Sequence, residues 1–170
     1  MANAQQKIER MRTALSHREP DRVPAGEFFW TRFLERCRAK WGSDFDPYRY
    51  FELDYVVINP NMDPRIQPFE VIEQEGDNIL IKTGFGATIR RSGTAPMPHY
   101  DSFSVNDPDQ MAHFEFDAPM DKRRFFADGD DQINGVGDAL TRNIPAWSTR
   151  VDAYTKDFCV FGSVCEPYEG

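Results

Sequence analysis

Three observations predict an α/β fold built on parallel strands. Tyr55-Val56-Val57-Ile58-Asn59 is a continuous apolar run rather than an alternating one, the pattern of a strand covered on both faces. Phe158 to Val164 is a second run of this kind, and a helical periodicity precedes each of the two. Between them the texture changes to alternation from Phe69, with turn residues at Glu75-Gly76-Asp77-Asn78 and Gly84-Phe85-Gly86. That pattern predicts three antiparallel strands, a β meander over 69–91 inserted between the parallel ones.

The remaining elements follow in order. Ile8, Met11 and Leu15 share one face of a predicted amphipathic helix over Gln5–Leu15. Arg18-Glu19-Pro20-Asp21-Arg22 stops it, because a residue before proline avoids the helical region. A short strand is predicted over Val23–Phe29. Trp30, Phe33, Leu34, Cys37 and Trp41 then recur at the spacing of a helix with one wide buried face, and Gly42 is placed to end it. On that spacing the aromatic residues are read as core rather than as a stacking surface.

Asp107-Pro108-Asp109-Gln110 carries the signals of a helix start, Asp117–Asp131 reads as an acidic surface crossing, and Ile144, Trp147, Val151 and Tyr154 mark a further helix. Three buried-type strands, each beside a helix, make less than half of an eight-stranded barrel of about 250 residues. The prediction is therefore a partial TIM-type (β/α)8 barrel. Residues 1–170 would be its amino-terminal part, the front of a larger enzyme.

Composition removes several function classes. The chain has 170 residues and 19.7 kDa, with 20 Lys+Arg against 28 Asp+Glu, a net charge of −8. Nucleic-acid sleeves and basic membrane-surface helices present positive charge to phosphates, so neither partner is expected. Apolar residues at 40% and aromatics at 14% suffice for a packed core. No run approaches the ~18 apolar residues of a membrane span, and Met1 to Glu9 lacks the apolar stretch of a secretory signal. Cys37, Cys159 and Cys165 are few and irregularly spaced, which suits a reducing compartment; the expected location is the cytoplasm.

The helix Ile8-Glu9-Arg10-Met11-Arg12-Thr13-Ala14-Leu15, the linker Arg18-Glu19-Pro20-Asp21-Arg22-Val23-Pro24, the strand after Leu53-Asp54, the meander ending near Arg90-Arg91 and the late Val160-Phe161-Gly162 strand form an ordered set. In that order they resemble the uroporphyrinogen decarboxylase superfamily, which also contains corrinoid (methylcobalamin) methyltransferases. The resemblance covers nearly the whole chain and the amino-terminal portion of the family's barrel. It implies a tetrapyrrole substrate, or a methyl group carried on a corrinoid protein.

Two departures bear on the decarboxylase activity. True decarboxylases carry an arginine-rich loop after the first strand, where this sequence has Glu27-Phe28-Phe29-Trp30-Thr31-Arg32; aromatics and a carboxylate do not replace guanidinium clamps. The family's Ser-Asp pair after the second strand is replaced by Pro60-Asn61, and a neutral amide does not stabilise a cationic pyrrole as a carboxylate does. Both argue against porphyrinogen decarboxylation, and the meander over 69–91 is more similar to the uncharacterised and methyltransferase-like branches. The zinc ligands of the methyltransferase branch, a His-x-Cys pair and a later Cys, belong to the family's later half. No cofactor is therefore assigned to this chain, and zinc and a corrinoid are expected of a full-length relative. This fragment alone is expected to be inactive.

Three residues are candidate substrate contacts. Glu27 falls at the carboxyl end of a predicted strand, where a barrel builds its site; pairing with an arginine explains it as well. Asn59 and Asn61 follow the second strand, and turn chemistry beside Pro60 accounts for both equally. The rival from another class is a non-catalytic acidic interaction module that dimerises or docks on a partner chain.

Overall fold

A computed structural model describes residues 2–66, 70–92, 95, 97–133 and 140–163. The chain is mixed α/β and divides into two compact units, one made of Met1–Asn59 with Trp147–Ser163, the other containing Pro60–Ala146.

The first unit opens with α1, Ala4–Leu15. Asn3 and Gln6 form a reciprocal capping box at its start, each side chain accepting the other's backbone N–H at 2.9 Å. Helix α2 spans Thr31–Trp41 and ends at Gly42, whose φ of 105° is open to glycine without a Cβ penalty. A short helix α3, Pro47–Tyr50, is capped by Asp46. Strand β1, Tyr55–Val57, pairs in parallel with the last strand, β8 (Cys159–Phe161), Val56 opposite Val160. Helix α5, Trp147–Thr155, precedes β8, and both α1 and α5 pack against that strand. Val56, Ile58 and Phe158 form the core, lined by Tyr48, Trp147, Val151 and Tyr154.

Parallel pairing of the two apolar runs is thus present, with three corrections. Residues 23–29 form no ladder: Pro24 has no N–H to give, and the Ala25 N–H bonds to the Asp54 side chain at 2.8 Å instead of to a neighbouring main chain. Ala25 still lies beside β1, since its carbonyl accepts the Asp54 N–H at 2.7 Å. The predicted helix from Ile144 starts three residues later, because Ile144 ends a strand. Finally, α2 buries only Cys37 among its residues, and Trp30, Phe33 and Trp41 are exposed rather than core.

In the second unit the meander is a four-stranded antiparallel sheet in sequence order: β2 (Glu70–Glu75), β3 (Asn78–Lys82), β4 (Ala87–Arg91) and β5 (His99–Phe103). The predicted first residue, Phe69, lies outside the described residues. Alternation decides the face: Ile79, Ile81, Ala87 and Ile89 are buried, with Val71 packed on them. The fourth strand, β5, goes beyond the three that the sequence predicts; every one of its residues is exposed, so no burial pattern announces it. Helix α4, Pro108–Ala112, starts where predicted, the Asp107 side chain accepting the Gln110 N–H at 2.8 Å. A 3₁₀ turn at Lys122–Arg124 and a hairpin of β6 (Asp130–Ile133) with β7 (Leu140–Ile144) complete the unit.

Candidate functional site

The parallel pair of the first unit has two chemically different ends. At the amino end lies Asp54, wholly buried, the residue before β1. Its carboxylate accepts from Arg10 of α1, from Arg22 at 2.9 Å and from the Ala25 N–H at 2.8 Å. Arg10, also buried, forks onto both oxygens of Asp21 at 2.6 Å. That fork holds the Asp21 carboxyl down at about 2 and pushes the Arg10 guanidinium up. Lys7 lies 4.0 Å from the centre of the Phe158 ring, and burial lowers its ammonium. The Asp21-Arg22 pair of the linker is therefore a structural lock joining α1 to the root of β1.

Ligands of parallel α/β sheets bind outside the carboxyl ends of the strands, so the opposite end is the candidate site. There the chain leaves β1 through Ile58 and Asn59. The Ile58 N–H donates to the Phe161 carbonyl at 2.9 Å, and its carbonyl accepts from the Trp147 indole at 3.3 Å, so both sides of this exit are held. Asn59 follows with its Oδ1 buried and without a hydrogen-bond partner among the described residues. A buried amide oxygen left unpaired costs about 1–3 kcal/mol, which a ligand donor would recover.

The other two predicted contacts have local partners. Glu27 is exposed, and its carboxylate accepts the Phe28 N–H at 2.9 Å. The Asn61 side chain accepts the Asp63 N–H at 2.8 Å, an Asx turn, and its carbonyl accepts from Arg124 at 3.1 Å. Glu27 and Asn59 belong to the first unit and Asn61 to the second.

Arg124 and Asp63 are features that sequence reading missed. The Arg124 guanidinium is buried and donates to the carbonyls of Asn61, Asp63, Asp117 and Ala118, at 2.8 to 3.1 Å, tying two segments some sixty residues apart. No local spacing signals such a contact. Asp63 approaches Gly84 so closely that a Cβ there would stand 2.5 Å from the Arg65 carbonyl and closer still to the Asp63 carboxylate. Burial pushes the Asp63 carboxyl up to about 6, against the opposing pull of Arg124 and the Gly84 N–H.

A raised carboxyl binds its proton more tightly in the folded state. Its stabilising contribution is full below the ordinary value of 3.8 and is lost as pH rises through about 6. Asp63→Asn is expected to remove that dependence. Urea unfolding followed at the Ile81 amide by NMR checks this: the wild-type midpoint should fall more between those two pH values than the variant's.

Among the described residues, no three His, Cys, Asp or Glu side chains converge as a metal site. Cys37 is buried and Cys159 half-buried, both as free thiols, and burial raises the Cys159 thiol. Cys165 lies outside the described residues. No described helix is long and apolar enough to cross a membrane. Family models, curated proteins and solved structures yield no match to the chain.

Proposed function

We propose that the first unit supplies opening strands of a β/α-barrel enzyme related to the uroporphyrinogen decarboxylases and corrinoid methyltransferases, in the methyltransferase-like branch. Its ligand would be a corrinoid-borne methyl group, bound where β1 and β8 end. The observation that carries this reading is Asn59: a buried amide oxygen, unpartnered among the described residues, at the carboxyl end of a strand in a parallel pair. The unladdered 23–29 segment beside β1 gives the same order as three successive barrel strands. In this reading Asn59 orients the ligand by accepting a hydrogen bond.

The zinc of this class would activate a thiol by lowering its pKa. The sequence contains no His-x-Cys pair, so the thiol-activating chemistry is not assigned to any residue of this chain. The chain is accordingly proposed to bind without turnover.

Titration with methylcobalamin, followed by absorption spectroscopy and equilibrium dialysis, tests the proposal. Saturable binding is expected, weakened roughly tenfold in Asn59→Leu for the loss of one buried hydrogen bond. Binding of neither methylcobalamin nor a porphyrinogen, or equal binding by the variant, would remove the reading.

A further inference from the structure

Helix α2 has the sequence of a helix with a covered face and the surroundings of one without. Phe33 is 40% exposed, Trp41 44% and Trp30 55%. The exposure extends into α3 and the residue after it, Tyr50 and Phe51. Four of these rings form one continuous surface: Phe33 and Phe51 are 6.5 Å apart, Phe51 and Tyr50 5.0 Å, Tyr50 and Trp41 5.1 Å. Contiguous exposed aromatics of this extent mark an interaction surface. The surface also carries charge. Four bases, Arg32, Arg36, Arg38 and Lys40, stand on α2 against a single acid, Glu35, in a chain whose net charge is −8.

The complementary surface is present in the same chain. Strand β2 is an edge of its sheet, and Glu70–Asp77 carries Glu70, Glu73, Glu75 and Asp77 with no base. All four acids are exposed, Glu73 facing Arg90 at 3.9 Å, and Ile72 among them is 51% exposed. Acidic side chains on an edge prevent two such strands from pairing with each other. The surface that fits this edge is basic and apolar.

We propose that the aromatic, basic face of α2 and α3 docks on the acidic β2 edge of a second copy of this chain. The rings cover Ile72 while Arg36, Arg38 and Lys40 meet the carboxylates. Each copy carries both halves of the contact, so association is between unlike surfaces. The inference stands independently of the corrinoid reading.

Sedimentation equilibrium of the full chain over a salt series gives the first test. The association constant is expected to fall at least about tenfold from low to high ionic strength. A monomer at low salt, or salt-independent association, overturns the proposal.

Charge exchange gives the second. R36E/R38E/K40E alone and E70K/E75K/D77K alone are each expected to be monomeric, because like charges then face each other, and their equimolar mixture to associate: the native α2 face of one variant meets the native β2 edge of the other, and the reversed face meets the reversed edge. Self-association of either variant at the wild-type level, or no association of the mixture, overturns the proposal. Circular dichroism confirms that each variant is folded, and the wild-type salt series decides the matter if one is not.

Discussion

Asp54→Ala is expected to destabilise the first unit by about 3–5 kcal/mol, the cost of breaking a buried ion pair by removing one partner. Asp54 is wholly buried and satisfies three donors at once, on Arg10, Arg22 and the Ala25 backbone. Its removal leaves Arg10 with Asp21 alone and strands the Ala25 N–H. Arg10 itself is buried and cannot swing into water without unpacking α1. By contrast, Asp21→Asn should cost much less, since Asp21 is the exposed end of the network with 66% of its side chain accessible. Tryptophan fluorescence reads the effect cleanly, because Trp30, Trp41 and Trp147, the three tryptophans of the sequence, all lie in the first unit. A urea midpoint for Asp54→Ala no lower than that of Asp21→Asn would contradict the assignment of Asp54 as the centre of the lock.

Phe158→Ala is expected to cost a similar amount, about 3–5 kcal/mol, for a different reason. Phe158 is 1% exposed and is the largest wholly buried side chain of the unit. It meets Val56 and Ile58 from β1 and its exit, and the rings of Tyr48 and Tyr154 edge-on or tilted at 6.3 and 5.8 Å. Lys7 loses its cation–π partner in the variant as well. The surrounding residues come from α1, α3, β1 and α5, so the cavity has no single element that can move in to fill it. Fluorescence-detected urea unfolding again measures the loss, and Phe158→Leu should recover most of it by refilling the volume.

The part of the fold legible in sequence is the part with local signals. Asp107 with Pro108, Gly42 and the Gly76 and Gly86 turns each fix a backbone geometry with residues adjacent in the chain, and the structure has an element boundary at every one. The two apolar runs were legible as parallel strands because burial on both faces leaves a composition, not merely a period. Elements held by distant partners were not. The hairpin β6–β7 begins Asp130-Asp131-Gln132, where no apolar alternation exists to read. Similarly, β5 is an exposed edge whose register on β4 depends on a bulge at Thr88/Ile89.

The same division runs through the candidate site. Asn59 is legible as a residue leaving a buried strand, and its oxygen, buried and unpartnered among the described residues, is not, since no local pattern reports the burial of one atom. Glu27 takes its place from the carboxyl end of a predicted strand that does not form, because Pro24 and the Asp54 side chain intervene. The aromatic periodicity of α2 predicts burial, and its rings are exposed. Periodicity reports that a face is apolar and leaves open what covers it.

Backbone-amide NMR of the labelled chain, with methylcobalamin added, tests most directly whether the end of the parallel pair is a corrinoid site. A corrinoid bound there shifts amides concentrated at Ile58, Asn59 and Phe161–Ser163 and leaves those around Asp54 at the opposite end unmoved. Saturable changes confined to other segments, or none at all, would contradict it.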